Sequence, residues 1–272
     1  QAIIWEAMEA SDAVRIKYAS KYASSSNYWK NSIGMSNGIQ KLGVKAQKQA
    51  EERKFQQWAD KNTLPEERYI DALPNMEKTI AAITPIEGSM QYLQEAFLRG
   101  VEIITAARTA TARLDAFYKD YEVELDRKVA KRMFTIAKEN MDPKYLPSIY
   151  AEVIDTQFGG NIDQYVDWLY NNSAFYSLEK AKNLSEEART QDPAYVLAQS
   201  VIKSYNSLVP EYQALSPRYN EAHRLYVDGR MKMEPEKAWY SDANFTIRLT
   251  YGNVLPYSPA DAITYNYYTT LD

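Results

Sequence analysis

The sequence contains no cysteine and only one histidine, His223, among its 272 residues. Disulfide frameworks, cysteine-ligated zinc and thiol catalysis are excluded by the first absence. The second rules out a histidine-rich metal site and leaves one candidate for any imidazole base. No apolar run approaches the roughly 18 residues that a membrane-spanning helix requires, and the opening Gln1-Ala2-Ile3-Ile4-Trp5-Glu6 lacks the basic start and long apolar stretch of a signal peptide. A first residue of Gln, already in helical pattern, points to a chain cut from something longer. Charge is nearly balanced, 32 Lys+Arg against 36 Asp+Glu for a net −4. That balance lacks the broad basic surface of a general nucleic-acid binder.

Glycine is scarce as well, 9 residues where usual composition, at about 7%, would supply about twice as many. Helix formers fill the spaces between the 11 prolines, so the expected fold is mainly α, a multi-helix bundle-like domain. Ile4, Ala7, Met8, Ala10, Val14, Tyr18 and Tyr22 share one helical face, and Ser24-Ser25-Ser26 is read as its break, with the following Asn27 region as a helix cap. Thr63-Leu64-Pro65-Glu66 and Thr84-Pro85-Ile86-Glu87 match the capping box and predict two helix starts. From Thr84 the pattern predicts one helix to Tyr118, returning antiparallel from Tyr121 to Asn140 as a long helical hairpin. Asn161, Asp192-Pro193 and Ser216-Pro217 predict three further starts. The character changes near Tyr240, where alternation over Asn244–Tyr251 and Ala262–Thr270 predicts two strands in a short C-terminal β tail.

Chemistry-bearing motifs are few. Gly34-Met35-Ser36-Asn37-Gly38 matches the G-x-S-x-G nucleophile elbow with His223 downstream, but the elbow needs a preceding strand and a parallel sheet. The neighbouring residues read as helix, so Ser36 is a spurious match and His223 a packed or half-exposed helix residue. Asp126-Arg127-Lys128 and Glu51-Glu52-Arg53-Lys54 read as solvated helix faces. Tyrosine, at 23 residues, suits either a tyrosine-rich core or a broad interface with wet polar tips.

Three segments carry a resemblance: Ser25-Ser26-Asn27-Tyr28-Trp29-Lys30-Asn31-Ser32-Ile33-Gly34-Met35, Arg248-Leu249-Thr250-Tyr251-Gly252-Asn253-Val254, and Tyr265-Asn266-Tyr267-Tyr268-Thr269-Thr270-Leu271-Asp272. Together they resemble the bacterial dipeptidyl peptidases 7 and 11. The resemblance implies a serine exopeptidase that removes N-terminal dipeptides, in which a large helical domain interrupts a chymotrypsin-like double β-barrel and covers its cleft. It implies that residues 1–240 are that helical domain and residues 241–272 a return segment into the barrel. The family's catalytic residues fall outside this chain, so no catalytic residue, metal or cofactor is expected here. Asn27, with Asn31 as the fallback, is the expected contact for the substrate's free N-terminus. Expected partners are the peptide N-terminus, the catalytic barrel of the same parent and a second copy in a homodimer, with a periplasmic or cell-surface location. A free-standing helical interaction module is the competing class.

Overall fold

The computed structural model describes residues 1–241, 245, 247 and 249–271. Two units divide the chain, Gln1–Met233 and Glu234–Asp272. Twelve α-helices occur among the described residues, all in the first unit: α1 Ala2–Ala10, α2 Asp12–Lys41, α3 Val44–Asn62, α4 Ala72–Tyr92, α5 Glu102–Arg108, α6 Leu114–Lys119, α7 Val123–Asn140, α8 Asp155–Gln157, α9 Ile162–Asn172, α10 Leu178–Lys182, α11 Glu186–Gln191 and α12 Pro193–Met233. The mainly α class read from the composition is what the structure shows.

The first apolar face is real, but its helix breaks earlier than the pattern suggests. Ser11 ends α1 and accepts a hydrogen bond from Val14 N at 3.4 Å, capping α2. Ile4, Ala7, Met8, Val14, Tyr18 and Tyr22 still form one cluster with Leu125 and Val129 of α7. Ser24-Ser25-Ser26 does not interrupt α2, which runs thirty residues to Lys41. Three serines cost a helix only tenths of a kcal/mol each, too little to end one that is anchored by a buried face. Asn27 is therefore in mid-helix, and the cap expected there is absent. α2 stops at Leu42-Gly43, where Gly43 takes φ 63°.

Proline misleads in the same way. Pro85 lies inside α4, and Pro210 and Pro217 lie inside α12, so the starts expected at Thr84 and Ser216 do not occur. Thr63 begins no α-helix either; a single 3-10 turn, Pro65–Glu67, follows, with Leu64 N donating to the Glu67 carboxylate at 2.9 Å. An interior proline costs about 3 kcal/mol. Here α4 and α12 lie mainly against each other, and burial of Ile83, Ile86, Leu208 and Ala222 offsets that cost at roughly 1.5–3 kcal/mol per large side chain. Asn161 and Asp192-Pro193 do start helices, as expected.

The single helix expected from Thr84 to Tyr118 is broken. α4 widens into a π turn over Leu93–Leu98, and the chain then turns sharply at Gly100. A Cβ there would lie 2.4 Å from Glu95 O and 2.8 Å from Ala96 O, so only glycine fits. α5 restarts the chain inside the core, with Ile103, Ile104, Ala106 and Ala107 fully buried. Its first amides, Glu102 N and Ile103 N, each donate to the Asp126 carboxylate at 2.7 Å. Tyr170 and Tyr121 hydroxyls donate to the same carboxylate at 2.6 and 3.1 Å. Asp126 is thus buried, not part of a solvated face. The expected long hairpin gives way to a core in which α7 packs on the π turn, α5 and α9. Tyrosine is found both inside and outside: Tyr121, Tyr145, Tyr150, Tyr165 and Tyr170 are buried, whereas Tyr28, Tyr257, Tyr265 and Tyr267 are exposed.

In the second unit, β1 Tyr257–Ala260 pairs antiparallel with β2 Ile263–Tyr265, turning at Ala262 with φ 62°. The strand expected over Ala262–Thr270 is thus only three residues long. Of the strand expected over Asn244–Tyr251, Asn244, Thr246 and Arg248 lie outside the described residues, and Leu249–Tyr251 is not strand.

Burial raises the Asp126 carboxyl from the ordinary range to about 7, against the pull of Tyr170 and the two amides. The folded chain then holds a proton that the unfolded chain, titrating near 4, has released, so this group's contribution to stability declines as pH rises from about 4 to about 7. Asp126→Asn should remove that slope, seen by comparing urea midpoints of both chains near pH 4 and near pH 8. Asp126→Ala orphans four buried donors and should cost about 3–5 kcal/mol.

Candidate functional site

α2 consists of a docked half and a free half. Tyr18 donates to the Glu102 carboxylate, and its oxygen accepts from Glu122 N at 3.2 Å. Burial first, and Glu102 second, hold this phenol well above its ordinary range, which keeps it a donor. Lys21 pairs with Glu102 and donates to Asp120 O at 3.1 Å, and Lys17 pairs with Glu122. Ser26 is the last buried residue of this half; residues 27–37 are all exposed.

The free half carries Asn27 and Asn31, four residues apart and so on one helix face. The Asn27 side chain makes no hydrogen bond among the described residues. Asn31 only approaches Met35 Sδ, at 3.5 Å. Tyr28 borders three depressions. One, of about 540 Å3, runs between α2 and the π turn past Ser24, Ser25, Glu95 and Arg99. A second, of about 360 Å3, is mostly apolar, with Tyr92, Ala96, Met133 and Ile136. The third, also about 540 Å3, follows α2 itself along Asn31, Ser32, Met35 and Ile39. The structure thus brings Asn31 into a groove with Tyr28, whereas Asn27 shares the face but lines none of the three.

Residues that sequence reasoning missed are Glu95, Arg99 and Tyr92, hidden within what read as continuous helix; Gly100 was the available signal. A charge pattern was missed too. From Ala13 to Ala50 there are seven Lys and Arg and no Asp or Glu. Trp29, Ile33, Ile39 and Leu42 are also exposed along this segment. Ser36 sits in mid-helix without the strand that a nucleophile elbow needs, and exposed His223 stacks on Tyr219 at 5.7 Å between ring centroids. No helix of the described residues is long and apolar enough to cross a membrane.

The fold is a multi-helix assembly with one helix face open to solvent. The chain belongs to the peptidase S46 family, whose model matches residues 1–113 and 105–272. It is 38% identical over 289 residues to the protein named dipeptidyl-peptidase 7 of Porphyromonas gingivalis, covering 98% of this chain and 40% of that relative. Its fold is similar to the crystal structure of Porphyromonas endodontalis DPP11, with a TM-score of 0.82 at 26% identity, covering 97% of this chain and 41% of that one. The same DPP11 in complex with the dipeptide Arg-Glu matches with a TM-score of 0.80 at 25% identity over the same shares. This chain therefore spans about 40% of the length of the relatives it matches.

If Asn27 and Asn31 have no structural task, their removal should not weaken the fold. Asn27→Ala and Asn31→Ala should each leave the urea midpoint unchanged or slightly raised, because alanine is the better residue in an exposed helix interior. A loss of about 1 kcal/mol in either would mark that amide as structural.

Proposed function

We propose that this chain is the helical part of a dipeptidyl aminopeptidase and covers the active-site cleft of a catalytic β-barrel carried elsewhere in the same parent protein. The observation that carries the reading is the pair of free amides, Asn27 and Asn31, on the undocked half of α2. They occur in a chain whose relatives are named dipeptidyl peptidases along its whole length. To release dipeptides, an enzyme must fix the substrate's α-amino group at a set distance from its nucleophile. That group has a pKa near ~8, so at neutral pH it is mostly an ammonium with three donors and no acceptor. An asparagine oxygen accepts one of these donors without bringing a charge that must itself be desolvated. In this reading Asn27 is the contact and Asn31 the fallback. The nucleophile, its base and the oxyanion donors belong to the barrel, and a periplasmic or cell-surface location and a homodimeric parent complete the proposal.

A second reading, a free-standing interaction module, is favoured by exposed Trp29, Ile33, Ile39 and Leu42, since large apolar side chains left exposed along one segment can mark a protein interface. The intact mass and gene of the native product separate the two: barrel sequence on both sides supports the peptidase, and its absence supports the module.

In the full-length parent, Asn27→Ala should lower kcat/KM on a free-amine dipeptidyl substrate by roughly ten- to two-hundred-fold, the worth of a hydrogen bond to a charged group. Wild-type kcat/KM in a folded variant would refute the contact. The chain alone should turn over no dipeptidyl chromogenic substrate, because a serine nucleophile needs a base within reach and an oxyanion hole. Turnover that disappears in Ser36→Ala would instead revive a hydrolase site within this chain.

A further inference from the structure

A cavity of about 270 Å3 lies between α4 and α12, away from the residues of the α2 groove. Its hydrocarbon wall includes Ala82 of α4 and Leu215, Ala222 and Leu225 of α12. Two of these are alanines, which leave open a space that larger side chains would close. Three cations line it, Arg68, Lys78 and Arg218, against one carboxylate, Glu221. The lining therefore carries a net charge of 3 − 1 = +2.

The protein uses little of the hydrogen-bonding capacity of these cations. Arg68 approaches Glu221 and Asp71 at 3.7 Å each, close enough for attraction but beyond hydrogen-bond length. The side chains of Lys78 and Arg218 have neither an ion pair nor a hydrogen bond among the described residues. Two guanidinium forks and an ammonium with free donors around one small cavity match an anion that has several acceptor oxygens. The apolar wall adds a requirement that a bare inorganic ion does not meet.

We propose that this cavity binds a small organic dianion, its charged end on Arg68, Lys78 and Arg218 and its short hydrocarbon body against Ala82 and Ala222. The volume lies just below the usual range for ligand pockets, about 300–1,000 Å3, which restricts the body to something near a single ring. A phosphate monoester and an aromatic dicarboxylate share this chemistry. The inference is independent of the function proposed for α2.

Isothermal titration of this chain with phenyl phosphate, phthalate and inorganic phosphate, at constant ionic strength, tests it. Saturable one-site binding of phenyl phosphate or phthalate is expected, at least about three-fold tighter than inorganic phosphate, and the better of the two identifies the charged group as phosphoryl or carboxylate. The double variant Lys78→Ala/Arg218→Ala should weaken binding at least about ten-fold while its melting temperature and far-UV spectrum stay unchanged, because both side chains are exposed. Ala82→Leu, which narrows the cavity but leaves every cation, should abolish the preference for the organic anions. Failure of both organic dianions to saturate, equal affinity in the double variant, or inorganic phosphate binding as tightly as they do would overturn the proposal.

Discussion

A seven-residue helix buried in the middle of a domain has a problem at both ends, and the solution for α5 governs much of this structure. The first amides and last carbonyls of a helix lack partners within it, and water cannot reach them once Ile103, Ile104, Ala106 and Ala107 are fully buried. Asp126 of α7 accepts from the first amides, and Arg189 of α11 donates to Ala107 O at 2.7 Å and Thr109 O at 2.8 Å at the other end. Above about pH 7, where Asp126 is ionised, a negative charge at the N-terminus and a positive one at the C-terminus also match the helix dipole. Burying a carboxylate costs several kcal/mol; four donors converge on Asp126 to offset it, and these tie α5, α7, α9 and the loop at Tyr121 to one point.

The consequence reaches the surface through Glu102. Because Asp126 fixes where α5 begins, it fixes the residue whose side chain receives Tyr18 and Lys21 and so docks the first half of α2. The second half inherits its position from that docking and touches little else. Asp192 repeats the device, accepting from Ser173 Oγ and Ala174 N at 2.7 Å and Ala194 N at 2.9 Å, which sets the start of α12. Two buried carboxylates thus define the starts of the core helix and of the longest helix.

Sequence periodicity was a good guide wherever a contact lay within two turns of helix. The Ile4 to Tyr22 face, α7 and the caps at Asn161 and Asp192 are all of that kind. It failed where a partner distant in sequence decided the outcome. Asp126 reads as one member of a charge run because three of its four donors are 23 and 24 residues upstream and 44 downstream. Pro85 and Pro217 read as helix starts because the burial that carries two helices through them comes from each other, across more than a hundred residues. Asn27 reads as a cap because three serines precede it, yet anchorage of Tyr18 and Lys21 keeps the helix intact. The motif that carries the family resemblance was legible, but its setting on a free helix face was not.

That setting bears on why an amide, and not a carboxylate, would suit the task proposed for it. Asn27 and Asn31 stand in a stretch of seven cationic residues and no acidic one, with Lys30 at helical spacing from Asn27. A carboxylate at position 27 would find that ammonium three residues on and pair with it. Its pull on a substrate's ammonium would then compete with a neighbour held permanently at hand. A neutral amide forms no ion pair with lysine, so its oxygen stays open to a donor that arrives from outside. The cost is a weaker single contact. Within this reading the charge pattern of the segment and the choice of asparagine are one constraint: a stretch of helix without acids can receive an ammonium only through neutral acceptors.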